Sequence, residues 1–125
     1  MAGPGPGYAE NPAHAVELCR EGMHVKVVVA GEVIADSEDA LTLRESDHAP
    51  VYYIPRRHVR MDRLVRSQHR SHCPYKGDAS YYSLEAGRHI ENAVWSYEDP
   101  YDEVGCIKDR LAFYADRVDS IVVSE

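Results

Sequence analysis

A chain of 125 residues with net charge −7, 44% hydrophobic and 28% charged, has the length for one core and the composition expected of a soluble globular domain. Those figures argue against wholesale disorder, against helices of the ~20 apolar residues that cross a membrane, and against general nucleic-acid binding, which needs a broad basic face. Cys19, Cys73 and Cys106 are too few and too scattered for a disulfide framework or a four-cysteine zinc site, and the start of the chain lacks the regions of a signal peptide. Reduced thiols and a cytoplasmic location are expected.

Residues 1–12, rich in Gly and Pro, predict a flexible N-terminal tail, leaving 13–125 as a single β-rich domain. Val16 and Leu18 alternate with polar neighbours, as do Val25, Val27 and Val29, and breaks at Gly22 and Gly31 fall at hairpin distances. Residues 14–19, 24–29 and 32–35 therefore predict an antiparallel meander. A helix over 12–21 is the competing reading of its first member, since Asn11-Pro12 starts one and Gly22 ends it.

Residues 40–44 and 51–54 read as further strands, the second closed by Pro55, and 58–64 as a helical turn. Residues 80–84 and 92–97 predict a hairpin around Gly87. Asp99 as cap, Pro100 at the first position, Asp102 at the positive dipole end, and Val104, Ile107 and Leu111 at helical spacing predict a helix; 117–123 predicts a last strand. The expected fold class is mainly β: a compact single domain of antiparallel strands with one C-terminal α-helix packed on the sheet.

Positive charge is concentrated. From Arg56 to Lys76 the chain carries +6, against −13 in the remainder, and the segment ends in His72-Cys73-Pro74-Tyr75-Lys76-Gly77. Cys73 is a candidate nucleophile, because Lys76 and nearby arginines favour a thiolate; the plainer reading is a small apolar residue at a tight turn, with Pro74 fixing one dihedral and Gly77 supplying a positive one. Lys76 either meets a ligand's carboxylate or phosphate, acts as an amine nucleophile, or pairs with Asp78, Glu91 or Glu98. Arg56, Arg57 and Arg60 form a candidate anion clamp, or else a solvated face. Trp95 and Tyr97 share a strand face with Tyr81 on the neighbouring strand, as a core or as a pocket wall. His69, His72 and Cys73 have the residue types for zinc but lack the further ligands a site needs, so no metal is assigned, and no motif specifies a cofactor or an oligomeric state.

Val51-Tyr-Tyr-Ile-Pro55, Val59-Arg-Met-Asp62, the His72–Gly77 run, Ala79-Ser-Tyr81, Glu91-Asn-Ala-Val-Trp-Ser-Tyr97 and Leu111-Ala-Phe-Tyr114 together resemble the family called domain of unknown function 427, also called nucleotidyltransferase-like, over roughly residues 24–120. The resemblance implies a compact mainly-β domain. The chain departs from the family pattern at Tyr82, where a tryptophan is usual, and at His58, where an acid is usual. The transferase label implies clustered carboxylates for Mg²⁺ and a Gly-rich phosphate cradle, and the sequence has neither pattern.

The functional expectation is a domain that binds an anionic small molecule, with enzymatic activity open. Cys73, Lys76 and Tyr81 are the catalytic candidates, with Arg56, Arg57, Arg60, His72, Gly77, Trp95 and Tyr97 around the ligand. A non-catalytic protein-interaction module using the basic 56–76 segment is the first alternative, and a nucleotidyltransferase the second. Neither a membrane nor a nucleic acid is an expected partner. The main reading requires the thiol-and-amine bend, the aromatic sheet face and the arginines to converge on one concavity.

Overall fold

The computed structural model describes residues 3–46 and 48–125. A five-residue helix, α1 (Pro6–Glu10), precedes ten strands: β1 (Val16–Cys19), β2 (His24–Val29), β3 (Glu32–Ser37), β4 (Leu41–Glu45), β5 (Val51–Tyr53), β6 (Leu64–Cys73), β7 (Gly77–Glu85), β8 (His89–Tyr97), β9 (Ala112–Phe113) and β10 (Ser120–Ser124). They form three sheets in the orders β1-β4-β5, β10-β2-β3 and β6-β7-β8-β9, with every strand pair antiparallel.

The β2–β3 hairpin forms where the alternation predicts it, with Val25, Val27 and Val29 all fully buried. Its two-residue turn puts Ala30 at φ 51° and Gly31 at φ 77°, the two positive values that match the turn to the twist of the strands. The strand reading of 14–19 holds over Val16–Cys19, but the meander does not. β1 pairs with β4, and the far side of β2 is taken by β10. Period-2 patterning sets which face a strand buries; it does not choose the strand's neighbour.

The β6–β9 sheet divides the interior. Leu84 and Val94 on one face join Val25, Val27, Val29, Ile34, Leu111 and Phe113 against the β10-β2-β3 sheet. Ala79, Tyr81 and Tyr97 on the other join Leu41, Leu43, Tyr53, Val104 and Ile107 against the β1-β4-β5 sheet. Isolated bridges from Ile54 to Leu111 and from Ala35 to Val59 tie the sheets together.

The expected C-terminal α-helix packed on the sheet is absent. Residues 102–107 form a short 3₁₀ segment with a kink at Val104 (φ −123°, ψ 26°), and the chain leaves it through Asp109 at φ 63°. Gly105 sits mid-segment, where it costs about 1 kcal/mol relative to alanine in a helix. The apolar spacing has another origin: Val104 and Ile107 are stacked by the three-residue turn, while Leu111 belongs to the bridge with Ile54. The helical turn expected over 58–64 is likewise two 3₁₀ turns, Arg56–His58 and Met61–Arg63.

The segment expected as a tail is seated on the protein. Gly7 is buried and donates its backbone N–H to the Pro74 carbonyl at 2.9 Å, Gly5 donates to Glu103, and the Tyr8 hydroxyl donates to the Tyr75 carbonyl at 2.9 Å. Burial, then the Glu103 charge, pushes the Tyr8 phenol up to about 12, so it stays a donor.

Candidate functional site

The Cys73–Gly77 run is a hairpin turn: Cys73 closes β6, Gly77 opens β7, and the two are register partners. Gly77 has φ 114°, and a Cβ there would press on the Asp99 carbonyl at 3.3 Å. Each carbonyl of the turn is used, Pro74 by Gly7, Tyr75 by Tyr8, and Lys76 by the Tyr101 N–H at 3.0 Å. Held from both sides, the turn directs Lys76 inward, where the residue is 9% exposed.

Beside it lies a cleft of about 510 Å³. Its walls include Cys73, Tyr75 and Lys76 from the turn, Tyr81 from β7, Trp95 and Tyr97 from β8, Tyr53 from β5, and His14, Glu45 and Tyr114. The shared face of Tyr81 and Trp95 follows from register, since the two residues oppose each other across β7 and β8. Tyr53 and Trp95 meet edge to face at 6.4 Å, with the indole N–H donating to the Tyr53 hydroxyl at 3.3 Å, and Tyr114 lies 4.5 Å from Trp95 between ring centres. Tyr81 shares hydrogen bonds with Ser71 at 2.8 Å and Tyr114 at 3.5 Å.

The charges of the cleft centre on Glu45. Lys76 Nζ donates to Oε1 at 2.5 Å, and His14 Nε2 lies 2.7 Å from Oε2 while its ring stacks on Tyr75. Burial alone would raise the Glu45 carboxyl; the bonds from Lys76 and His14 outweigh it and the net shift is downward. Burial raises the phenols of Tyr53 and Tyr97 and, with the bond to Tyr81, takes Tyr114 to about 12, so all three remain protonated donors. Lys76 has three N–H donors and one partner among the described residues. The cleft wall therefore carries an ammonium and several protonated phenols.

Cys73, Lys76, Tyr81, His72, Trp95 and Tyr97 thus all line one cleft, with Gly77 behind it shaping the turn. His72 sits at the rim and pairs with Asp78 at 2.7 Å. The arginines are elsewhere. Arg56 lies on the opposite face of the sheet, donating to Tyr82 at 3.1 Å, Ser96 at 3.2 Å and the Asp109 carbonyl at 2.6 Å, and reaching Glu98 at 3.5 Å. Arg66 joins it there with a two-pronged bond to Glu98 at 2.8 and 2.9 Å. The Arg66 hydrogen bonds, working against partial burial, hold the Glu98 carboxyl down at about 2. Arg57 pairs with Asp39, and Arg60 with Asp62 and Glu32. Two of the three expected features converge; the guanidinium strip does not.

Further placements differ from expectation. The partner of Lys76 is Glu45, not Asp78, Glu91 or Glu98, because the turn folds it toward the end of β4. Tyr82 belongs to the arginine face, so the family departure there leaves the cleft wall unchanged; His58, the other departure, bonds Ser37 at 2.8 Å. His69 packs on Tyr81, away from the His72–Asp78 pair, and among the described residues no three His, Cys, Asp or Glu side chains gather to hold a metal ion. Among the described residues Glu45 is the single carboxylate in the cleft wall and is already bonded twice, so those residues do not fit a Mg²⁺-held triphosphate. Sequence reasoning missed Glu45, His14, Tyr53 and Tyr114 as site residues. Tyr53 and Tyr114 could have been found, since both fall inside motifs that carry the family resemblance.

Fold and site together define a small antiparallel β domain built around an aromatic, donor-rich cleft. Residues 17–124 match the family described as Domain of unknown function (DUF427), and the chain belongs to that family. No curated protein matches the chain. No helix among the described residues is long and apolar enough to cross a membrane.

Proposed function

We propose that the domain binds a small organic acid in the cleft, with the acid's oxygens received by Lys76 and by the phenol donors around it. The observation that carries the reading is the buried Lys76 ammonium, which spends one of its three N–H donors on Glu45. A desolvated donor left unmet costs about 1–3 kcal/mol, and a ligand oxygen seated in the cleft supplies a partner. Tyr53, Tyr97 and Trp95 provide flat apolar walls with polar tips, the usual make-up of a small-molecule pocket. The anion is thus read by an ammonium and phenols, without the arginines. Those arginines are committed to Glu98, Asp39, Asp62 and Glu32, which weighs against a protein-interaction module built on a free basic strip. Three free cysteines fit a reducing cytoplasmic setting.

Trp95 is the chain's one tryptophan and stands in the cleft wall, so its fluorescence reports occupancy directly. Titration with a panel of carboxylates is expected to give saturable change. The double variant Glu45→Gln/Lys76→Met, which removes the charge pair without stranding either partner, is expected to weaken it at least tenfold. Saturable binding that is unaffected in that folded variant, or no response to any acid, overturns the reading.

A further inference from the structure

A second cavity, of about 410 Å³, adjoins the first. The two share Ala49, Val51, Trp95 and Tyr114 as common wall, so the second lies directly beside the Lys76 cleft, on the other side of these four residues. Beyond that wall the chemistry changes. The second compartment is bounded by Val25 and Val27 of β2, Ile54, Phe113 of β9, and Ile121 and Val123 of β10, and among the described residues no charged side chain lines it. Water there finds few polar partners, and replacing it with apolar atoms is favourable.

From this adjacency of a donor-lined and an uncharged compartment, and resting on the organic-acid reading above, we infer that the ligand is amphipathic: a carboxylate head at Lys76 and an unbranched alkyl or aryl body that passes Trp95 and lies in the valine- and isoleucine-lined compartment. A short hydrophilic acid would leave that compartment filled with poorly bonded water. A body of several methylenes displaces it, and each buried methylene contributes about 0.8 kcal/mol.

The test is a Trp95 fluorescence titration of the full chain with straight-chain monocarboxylates from acetate to octanoate. Affinity is expected to rise about three- to fourfold per added methylene until the compartment is filled. Two variants reach the second compartment alone: Ala115→Phe, at an exposed position on its wall, fills it, and Val123→Lys, on β10, places a charge in it. Both are expected to flatten the length dependence while acetate and propionate bind as before. A flat series in the wild-type protein, with short acids still bound, overturns the amphipathic ligand and leaves the polar compartment's role standing. Length dependence that survives both variants shows the apolar body lying elsewhere and overturns the assignment. Absence of binding by every acid sinks this inference together with the reading it rests on.

Discussion

On one face of the β6–β9 sheet, Glu98 receives hydrogen bonds from Arg66, Arg56, Ser80 and Tyr82; on the other, Lys76 makes one bond among the described residues, to the Glu45 carboxylate, and borders an aromatic cleft. The arginine face carries more charge and has most of it satisfied within the fold. The cleft face carries less and leaves donors to spare. A count of basic residues along the chain points to the first face, whereas the number of unmet donors per buried group points to the second. For locating a ligand, the second quantity is the informative one, because a half-exposed, fully paired arginine gains little from a new partner.

The largest effect is expected at the Lys76–Glu45 pair. Lys76→Met leaves a carboxylate that is 12% exposed with His14 as its one remaining partner among the described residues and should cost about 3 kcal/mol in urea denaturation, most of it regained in Glu45→Gln/Lys76→Met. A loss no greater than that of a surface pair would erase the contrast between the faces.

Glu98→Gln should cost about 1 kcal/mol at neutral pH, given the part exposure of its partners. Because the folded carboxyl is held down from 4.5 to about 2, its stabilisation is complete above pH 4.5 and fades as pH falls from there toward 2. Thermal melts at pH 7, 4.5 and 3 should therefore show the gap between wild type and variant closing on acidification.

Tyr97→Phe removes one cleft donor from a ring that stays buried. Unfolding should shift by about 0.5 kcal/mol or less, while carboxylate affinity falls about fivefold. Smallest of all, Arg57→Ala breaks a pair whose partners are 64% and 43% exposed, and both stability and binding should stay within about 0.5 kcal/mol of wild type.

How legible the protein was in its sequence differs by element. β2 was readable because one of its faces meets the core and the period-2 signal survives, and β3 because it follows at hairpin distance; β7 and β8, packed on both faces, were readable as aromatic-rich runs on either side of Gly87. β6 was not read at all: Leu64-Val-Arg-Ser-Gln-His-Arg-Ser-His-Cys73 is an edge strand hydrated on both faces, and no apolar alternation marks it. The false C-terminal helix came from Val104, Ile107 and Leu111, whose spacing served a 3₁₀ turn and a strand bridge instead. The turn at Cys73–Gly77 and the aromatic face of Tyr81, Trp95 and Tyr97 were legible because local register determines them. Glu45 and His14 were not, since they reach the cleft from β4 and from the N-terminal segment through contacts thirty-one residues distant in sequence.

The family match begins at residue 17, yet Tyr8 and His14 hold the outer side of the Tyr75 turn. Two homologues identical in every strand can accordingly differ at the entrance, through a stretch that contributes nothing to their sheets. A substitution at Tyr8 or His14 would reshape the rim of the cleft while every residue of the ten strands stays the same.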